Sequence, residues 1–413
     1  MNTIRPLVVI GAGPAGLMAG LTAAEKGIKV LLLERGNHLG GKIPVTGDGK
    51  GNLSNIDLDL SHYNSASPGF PLAALREFGF KKTREFFEKI GIKLYTDQGG
   101  RVYPYSQEAA SIQKLLVAEV HRLNIEVITG IDIQKIGKIG STFEILMKHL
   151  PSCYAHRLIL ATGGLAAPQL GATGDGYRWA VQLGHHLEPP FPALVQLTSF
   201  LPHLGLLDKL KLAKVEITLF IDDKLKANAS GDLLFIPCGI SGTAIFSISR
   251  LVSLALAQGQ QTVIMINFTP GLNYQELFQS FNEQKNYYPQ KSLLLFLQGF
   301  LPERLSQFIL KTLRIDFDLT IGLVSEGKIN NILKNITNFY LPINGTQSWK
   351  YAQVTCGGIS VKEVNPETME SRIVPHLYFA GEILDVDGDC GGYNLQWAWS
   401  SGYLAGKAAS QNI

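Results

Sequence analysis

The stretch Val8-Val9-Ile10-Gly11-Ala12-Gly13-Pro14-Ala15-Gly16 constrains this chain more than any other. Three apolar residues run into a glycine corner, and a helix-forming run follows. Gly11 permits the tight turn, Gly13 lets a pyrophosphate approach the backbone, and Gly16 lets the helix pack close to the strand. Pro14 falls at the start of the helix, where its missing N–H costs little, and Ala15 follows it within the cofactor-binding motif. The helix N-terminus then offers unpaired N–H groups and a positive dipole end to phosphates. A second apolar strand, 29–34, ends in Glu34 beside Arg35, where an acceptor for ribose hydroxyls is expected. A lone glycine triplet is often only a turn. Strand, turn, helix, strand and terminal acid in that order predict a dinucleotide-binding unit.

Composition sets limits around that unit. A chain of 413 residues has room for two or three domains with a sizeable core. Its 46% hydrophobic and 17% charged residues suit a soluble globular enzyme. A net charge of +3 gives no reason to expect a nucleic-acid or membrane-surface partner. The cysteines Cys153, Cys238, Cys356 and Cys390 form no C-x-x-C pair, which argues against a zinc ribbon or redox dithiol and suits a reducing cytoplasm. No metal-ligand spacing is present, so no metal is expected. The first residues lack a signal-peptide layout, and no run approaches the ~18 apolar residues of a membrane span.

Residues 40–55 follow the second strand, rich in Gly, Asn, Ser and Lys and periodic in nothing. Their place favours a loop wrapping a phosphate or a flavin, with Lys42 and Lys50 as cations and Asn52, Ser54 and Asn55 as donors. Helices are predicted at 75–91 and 109–123. A strand at 125–133, ending in Ile133, would rejoin the sheet and give backbone contacts to an adenine. An apolar strand ending at Ala161 runs into Thr162-Gly163-Gly164, which delivers the chain back against the dinucleotide. Glu188-Pro189-Pro190-Phe191-Pro192 reads as a stiff boundary. Beyond it, short alternating strands at 195–198, 215–221, 232–236 and 262–268 precede a mostly helical 274–340. The predicted fold is α/β. A Rossmann-like nucleotide domain built from 1–192 and 351–413 is interrupted by an inserted β-barrel plus α-helical domain over 193–350.

A second glycine corner closes the reading. The strand 377–380 ends in Gly381-Glu382, and an acid there would hold the ribityl hydroxyls of a flavin. Asp385 then leads into a glycine-rich turn, and Gly392-Tyr393-Asn394-Leu395 opens a helix over 397–409. A helix N-terminus aimed at the pyrimidine edge of the ring would stabilise negative charge on it. No catalytic acid or base stands out. Asp387, Asp389, Tyr393 and Asn394 are within reach of the ring edge, though all four could be turn residues, the reading favoured for the two aspartates. His62 is a further candidate, and His185-His186 read as surface residues.

These motifs together resemble the HI0933-like flavoproteins, also called BaiN-like or aminoacetone-oxidase-like, over nearly the whole chain. The resemblance rests on Gly11 to Gly16, Gly41-Lys42 with 47–55, and the runs 100–104, 161–164, 173–176, 231–235 and 239–242. The most specific match is the run 381–397. The family pattern departs in places: arginines and a cysteine expected in the 40–55 loop are absent, Pro237-Cys238 replaces a Thr-His pair, and Cys390 stands where Thr is common. The resemblance implies bound FAD and an oxidoreductase acting on a small or medium organic substrate. One branch resembles NADH-dependent reductases of steroid enones. No second G-x-G-x-x-G follows a strand, so NAD(P)H would bind transiently at the flavin face. A flavin amine or amino-ketone oxidase using O2 is the alternative enzyme, and a flavin-binding partner or sensor protein the alternative outside enzymes. A tRNA-modifying flavoprotein is disfavoured by the lack of a basic stripe. The oligomeric state is not readable from the sequence.

Overall fold

The computed structural model describes residues 4–411. The chain divides into two compact units, Met1–Phe191 with Gln353–Ile413, and Pro192–Ala352. The first begins with β1 (Ile4–Ile10), α1 (Pro14–Glu25) and β2 (Val30–Leu33). Then come β3 (Ser54–Asn55), β4 (Tyr63–Asn64), α2 (Leu72–Glu77), α3 (Phe80–Lys89), β5 (Leu94–Thr96), β6 (Arg101–Pro104) and α4 (Ala109–Arg122). β7 (Glu126–Ile128), β8 (Ile133–Ile139), β9 (Thr142–Met147), β10 (Cys153–Leu160), α5 (Asp175–Gln182) and β11 (Leu187–Ala193) follow.

The second unit pairs β12 (Leu197–Thr198), β13 (Lys211–Ile221), β14 (Lys224–Ile236) and β15 (Gly239–Ser241), then adds α6 (Thr243–Ala257) and β16 (Thr262–Asn267). Helices α7 (Tyr274–Tyr287), α8 (Leu293–Leu297), α9 (Glu303–Thr312) and α10 (Glu326–Thr337) precede β17 (Phe339–Ile343) and β18 (Gly345–Thr346). Its strands pair antiparallel in the order β17-β16-β13-β14-β15-β12-β18 around their own apolar core. The chain returns to the first unit through β19 (Val354–Ile359), β20 (Leu377–Phe379), β21 (Asp387–Gly388) and α11 (Tyr393–Ala409).

The main sheet of the first unit has parallel strands in the order β7-β2-β1-β10-β20, while β9 and β8 continue antiparallel from β10. All of β2 and the last four residues of β1 are buried, as unbroken apolar strands covered on both faces must be. Strand order reverses beside β1, and in such sheets ligands bind outside the carboxyl ends of the strands at that reversal. Among the described residues no helix is long and apolar enough to cross a membrane.

Local breaks depart from the sequence reading for identifiable reasons. The helix expected at 75–91 is two, because the chain straightens at Gly79, where a Cβ would sit 2.5 Å from the Leu75 carbonyl oxygen. The strand expected at 125–133 is also two. Gly130 turns the chain at φ +68° and donates to the Gly36 carbonyl at 3.1 Å, which leaves Ile133 buried at the start of β8. The proline cluster lies within β11, paired with β19 in a two-stranded sheet, so β11 has an edge that tolerates missing N–H groups. α11 starts at Tyr393, four residues before the expected start, because Gly392 adopts the left-handed conformation of an N-cap there.

Candidate functional site

The carboxyl ends of β1, β10 and β20 converge. Gly11 donates to the Leu33 carbonyl at 2.8 Å, Ala161 to Ile10 at 2.9 Å and Ala380 to Leu160 at 3.0 Å. Gly11 has φ +98°, and a Cβ on it would lie 2.4 Å from the Ala161 carbonyl oxygen, so this turn admits only glycine. A Cβ on Gly16 would fall 1.8 Å from the Gly11 carbonyl oxygen. Gly13 differs: a Cβ built there meets nothing within 4 Å. It is the N-cap of α1, with Pro14 next, no side-chain cap bond and no acid in the first turn. The positive end of the helix therefore carries uncapped N–H groups beside open space.

Glu34 stands at the edge of this turn. One carboxylate oxygen accepts from Ala12 N–H at 2.6 Å, the other from Gly36 N–H at 2.7 Å. Each oxygen keeps a further lone pair for a hydroxyl. Arg35 is exposed and pairs with Asp175. Thr162 is half-buried, and Gly163, at φ +71°, has open space where a Cβ would be.

The second corner lies against the first. A Cβ on Gly381 would come 2.7 Å from the Ala15 Cβ. Gly381 N–H donates to Ser401 Oγ at 2.9 Å, and its carbonyl accepts from Trp397 Nε1 at 3.2 Å. Glu382 accepts from Thr355 N–H at 2.9 Å and faces Lys42 Nζ at 3.4 Å. Asp385 is buried and accepts from Ala66 N–H at 2.8 Å. Gly41 is exposed beside Lys42.

The 40–55 loop is tied to the turn before α11. Asn55 Nδ2 donates to the Gly391 carbonyl at 3.0 Å, and Ser54 Oγ to Gln396 Oε1 at 2.6 Å. With its amide turned to suit its neighbours, Asn52 accepts from Gly392 N–H at 3.0 Å and donates to the Ser54 carbonyl at 3.0 Å. Asn394 clasps Gly388, accepting from its N–H at 2.8 Å and donating to its carbonyl at 2.7 Å. These side chains, expected from sequence as donors to a ligand, make their hydrogen bonds within the protein. Leu395 is half-buried.

α1 and α11 run parallel at close approach. A Cβ on Gly402 would lie 2.4 Å from the Ala15 carbonyl oxygen, and one on Gly406 would lie 2.3 Å from that of Ala19. Two contacts four residues apart on both helices fix that register. α11 therefore begins eight residues, about 12 Å, ahead of α1 along the shared direction. Two positive helix ends separated by that length fit a pyrophosphate at one and a flavin ring, across its ribityl arm, at the other.

Sequence reasoning missed several contributors. Gln396 is fully buried and donates to the Phe78 carbonyl at 2.8 Å and to Ser400 Oγ at 2.9 Å; a glutamine next to Trp397 on a helix with few charged residues was the available signal. Thr355 Oγ1 accepts from Leu165 and Ala166 N–H at 2.8 and 3.0 Å. His185 is not a surface residue. It is buried between Glu363 at 3.1 Å and Ser371 at 2.9 Å, where the chain turns at Gly184 (φ +99°) just beyond the end of α5.

A family model described as HI0933-like protein Rossmann domain matches residues 5–408. The chain belongs to the HI0933-like family. As a member of the HI0933-like family it is an FAD-dependent oxidoreductase. It is 34% identical over 410 residues to the 3-dehydro-bile acid delta(4,6)-reductase of Clostridium scindens, covering 98% of each chain. It is 32% identical over 401 residues to the ribosomal RNA dihydrouridine synthase of Escherichia coli, covering 97% of this chain and 96% of that one. Among solved structures, 3-ketosteroid delta1-dehydrogenase from Sterolibacterium denitrificans aligns with a TM-score of 0.54 at 12% identity, covering 99% of this chain and 100% of that one. That likeness shows a shared fold for this HI0933-like chain.

Proposed function

We propose that this enzyme saturates a carbon–carbon double bond conjugated to a carbonyl in a small or medium organic molecule, with NAD(P)H as transient electron donor. FAD, when bound, supplies the hydride. The chain's residues bind and orient. The turn from Gly11 through Gly13, Pro14 and Ala15 to Gly16 holds the pyrophosphate. Glu34 and Arg35 serve the adenosine end, with backbone at Ile133, Thr162 and Gly163. Lys42 and Glu382 serve the ribityl region, with Gly41, Gly381 and Asp385 shaping it. Asn52, Ser54 and Asn55 hold Gly392, Tyr393, Asn394 and Leu395 so that the first turn of α11 meets the pyrimidine edge.

The observation that carries this reading is the stagger of two parallel helix starts, about 12 Å along their shared direction, one at the Gly11–Gly16 turn and one at the Gly391–Gly392 turn. The substrate class is supported by what the relatives' names share: a delta(4,6)-reductase of a 3-dehydro bile acid and a dihydrouridine synthase both add two hydrogens to a double bond conjugated to a carbonyl. The second name favours a second reading, in which the double bond belongs to a uracil of ribosomal RNA.

Anaerobic mixing tests both. NADH or NADPH should bleach the flavin band, and a 3-oxo-4,6-diene bile acid should restore it. If only unmodified ribosomal RNA restores it, with dihydrouridine formed, the second reading holds. Hydrogen peroxide released when an amine is turned over in air, with no anaerobic bleaching by either nucleotide, refutes both.

A further inference from the structure

Beside the start of α11 stands a group of titratable side chains that the cradle described above does not use. β4 and β21 pair antiparallel, with Tyr63 opposite Gly388 and Asn64 opposite Asp387. That pairing sets His62 beside Asp389, and Asp389 N–H donates to the His62 carbonyl at 2.9 Å. His62 Nδ1 lies 3.1 Å from Asp389 Oδ2, and Nε2 lies 3.4 Å from Asp57 Oδ2. The imidazole stacks on Tyr393 with centroids 4.4 Å apart and planes at 18°. Its side chain is 29% exposed, too open for a core histidine and too constrained for a free surface one. Asp57 is 65% exposed, so it can swing aside from Nε2 while Asp389 keeps Nδ1.

The surroundings point to a ligand. Tyr63, 4% exposed, stands edge-on to Tyr393 at 5.8 Å, and its hydroxyl is buried without a hydrogen-bond partner. Buried hydroxyls are rarely left unpaired, so an ordered water or an atom of a bound molecule is expected there. Burial, followed by the charges of Asp57 and Asp389, pushes the Tyr393 phenol up to about 12. Burial raises the Tyr63 phenol further, so neither phenol yields a proton near neutral pH. Arg101 from β6, Cys390 and Asp59, which lies within electrostatic reach of His62, add to the charged and titratable surroundings. Of the residue types present, histidine is the one that exchanges a proton most readily near neutrality.

We propose that His62 is the acid that completes the reduction, with Asp389 as the residue that positions its ring. This rests on the function proposed above. Hydride, carrying two electrons that originate in NAD(P)H, adds to the β-carbon of the conjugated carbonyl compound. The double-bond pair shifts to the α-carbon, which takes a proton from His62 Nε2. NAD(P)+ leaves, and the imidazole regains its proton from water. The sum is one NAD(P)H and one proton consumed per double bond saturated.

The test uses the FAD-loaded full chain as wild type, His62→Gln and Asp389→Asn. Both variants should keep FAD at the wild-type ratio per chain and be bleached by NADPH within twofold of the wild-type rate. Reoxidation by a 3-oxo-4,6-diene bile acid should fall at least about a hundredfold in His62→Gln, the lower end of what a general acid contributes. Asp389→Asn should fall less and shift the pH profile of that step. A readout without turnover uses diethyl pyrocarbonate on the oxidised wild type. Peptide mass should show His62 modified, and protected by the bile acid, while exposed His186 is modified equally with and without it. Equal reoxidation rates in wild type and His62→Gln overturn the histidine assignment alone, as does modification of His62 indifferent to the bile acid. A reduced wild type that no conjugated carbonyl compound reoxidises overturns the proposed function, and the histidine's role with it.

Discussion

Gly13→Ala separates what the glycine turn does for the fold from what it does for the ligand. In the free protein the new methyl meets nothing within 4 Å, and Gly13 sits at φ −71° and ψ −176°, a conformation open to alanine. Loss of a glycine N-cap costs roughly 0.5–1 kcal/mol. The lower entropy of the unfolded chain returns about 0.4–1 kcal/mol. The two offset, so the melting temperature of the apoprotein should move by no more than about 2 °C. The bound state is another matter. The methyl occupies the space through which a pyrophosphate must approach the uncapped N–H groups of α1. Losing one or two charge-assisted hydrogen bonds, at about 1.5–3 kcal/mol each, weakens FAD binding by roughly tenfold to several-hundredfold or more. FAD fluorescence quenching on titration into apoprotein gives the affinity, and circular dichroism gives the melt. Affinity within twofold of wild type, or an apoprotein melt lowered by more than about 5 °C, refutes the reasoning.

Gly16→Ala should do the reverse, destabilising the apoprotein by at least the about 1–3 kcal/mol of core overpacking, because its Cβ would lie 1.8 Å from a backbone oxygen; an unchanged melt contradicts this. Gln396→Leu should leave the buried Thr83 hydroxyl without its glutamine partner, and takes one of two bonds each from Ser54 Oγ, Ser400 Oγ and the Phe78 carbonyl. At about 1–3 kcal/mol per unpaired buried group, the urea midpoint should fall steeply or the protein should fail to accumulate. Burial pushes His185 below the usual histidine range, against an opposing pull from Glu363. The unfolded chain therefore binds more protons below about pH 6.5, and stability declines as pH falls through that value. The melting temperature of wild type should drop more between about pH 7.5 and 5.5 than that of His185→Gln.

The β1–α1–β2 unit was legible because its information is local: three glycines, a proline and an acid at fixed offsets dictate turn, helix start and strand end without help from the rest of the chain. The Gly381-Glu382 strand end and the glycine corner before α11 were legible for the same reason. What failed to show was relational. Lys42 meets Glu382 across 340 residues, and His62 meets Asp389 across 327, with no periodicity linking the partners. The asparagines of the 40–55 loop have the right chemistry for a ligand, and sequence cannot tell that from the right chemistry for a distant turn. His185 looked like surface because histidine pairs usually are; only the position of Glu363 and Ser371 makes burial affordable.

The parallel seating of α1 and α11 has a consequence during synthesis. Gly16 and Gly392 leave the ribosome with the whole of the second unit between them, a delay of roughly 20–75 seconds at about 5–20 residues per second. Until residues 391–396 emerge, Asn55 Nδ2 lacks its Gly391 carbonyl and Ser54 Oγ lacks Gln396, and half a cradle faces solvent. Cofactor capture is thus a late event in the life of the nascent polypeptide, and a lesion near residue 396 should be felt as lost grip on a phosphate near residue 13.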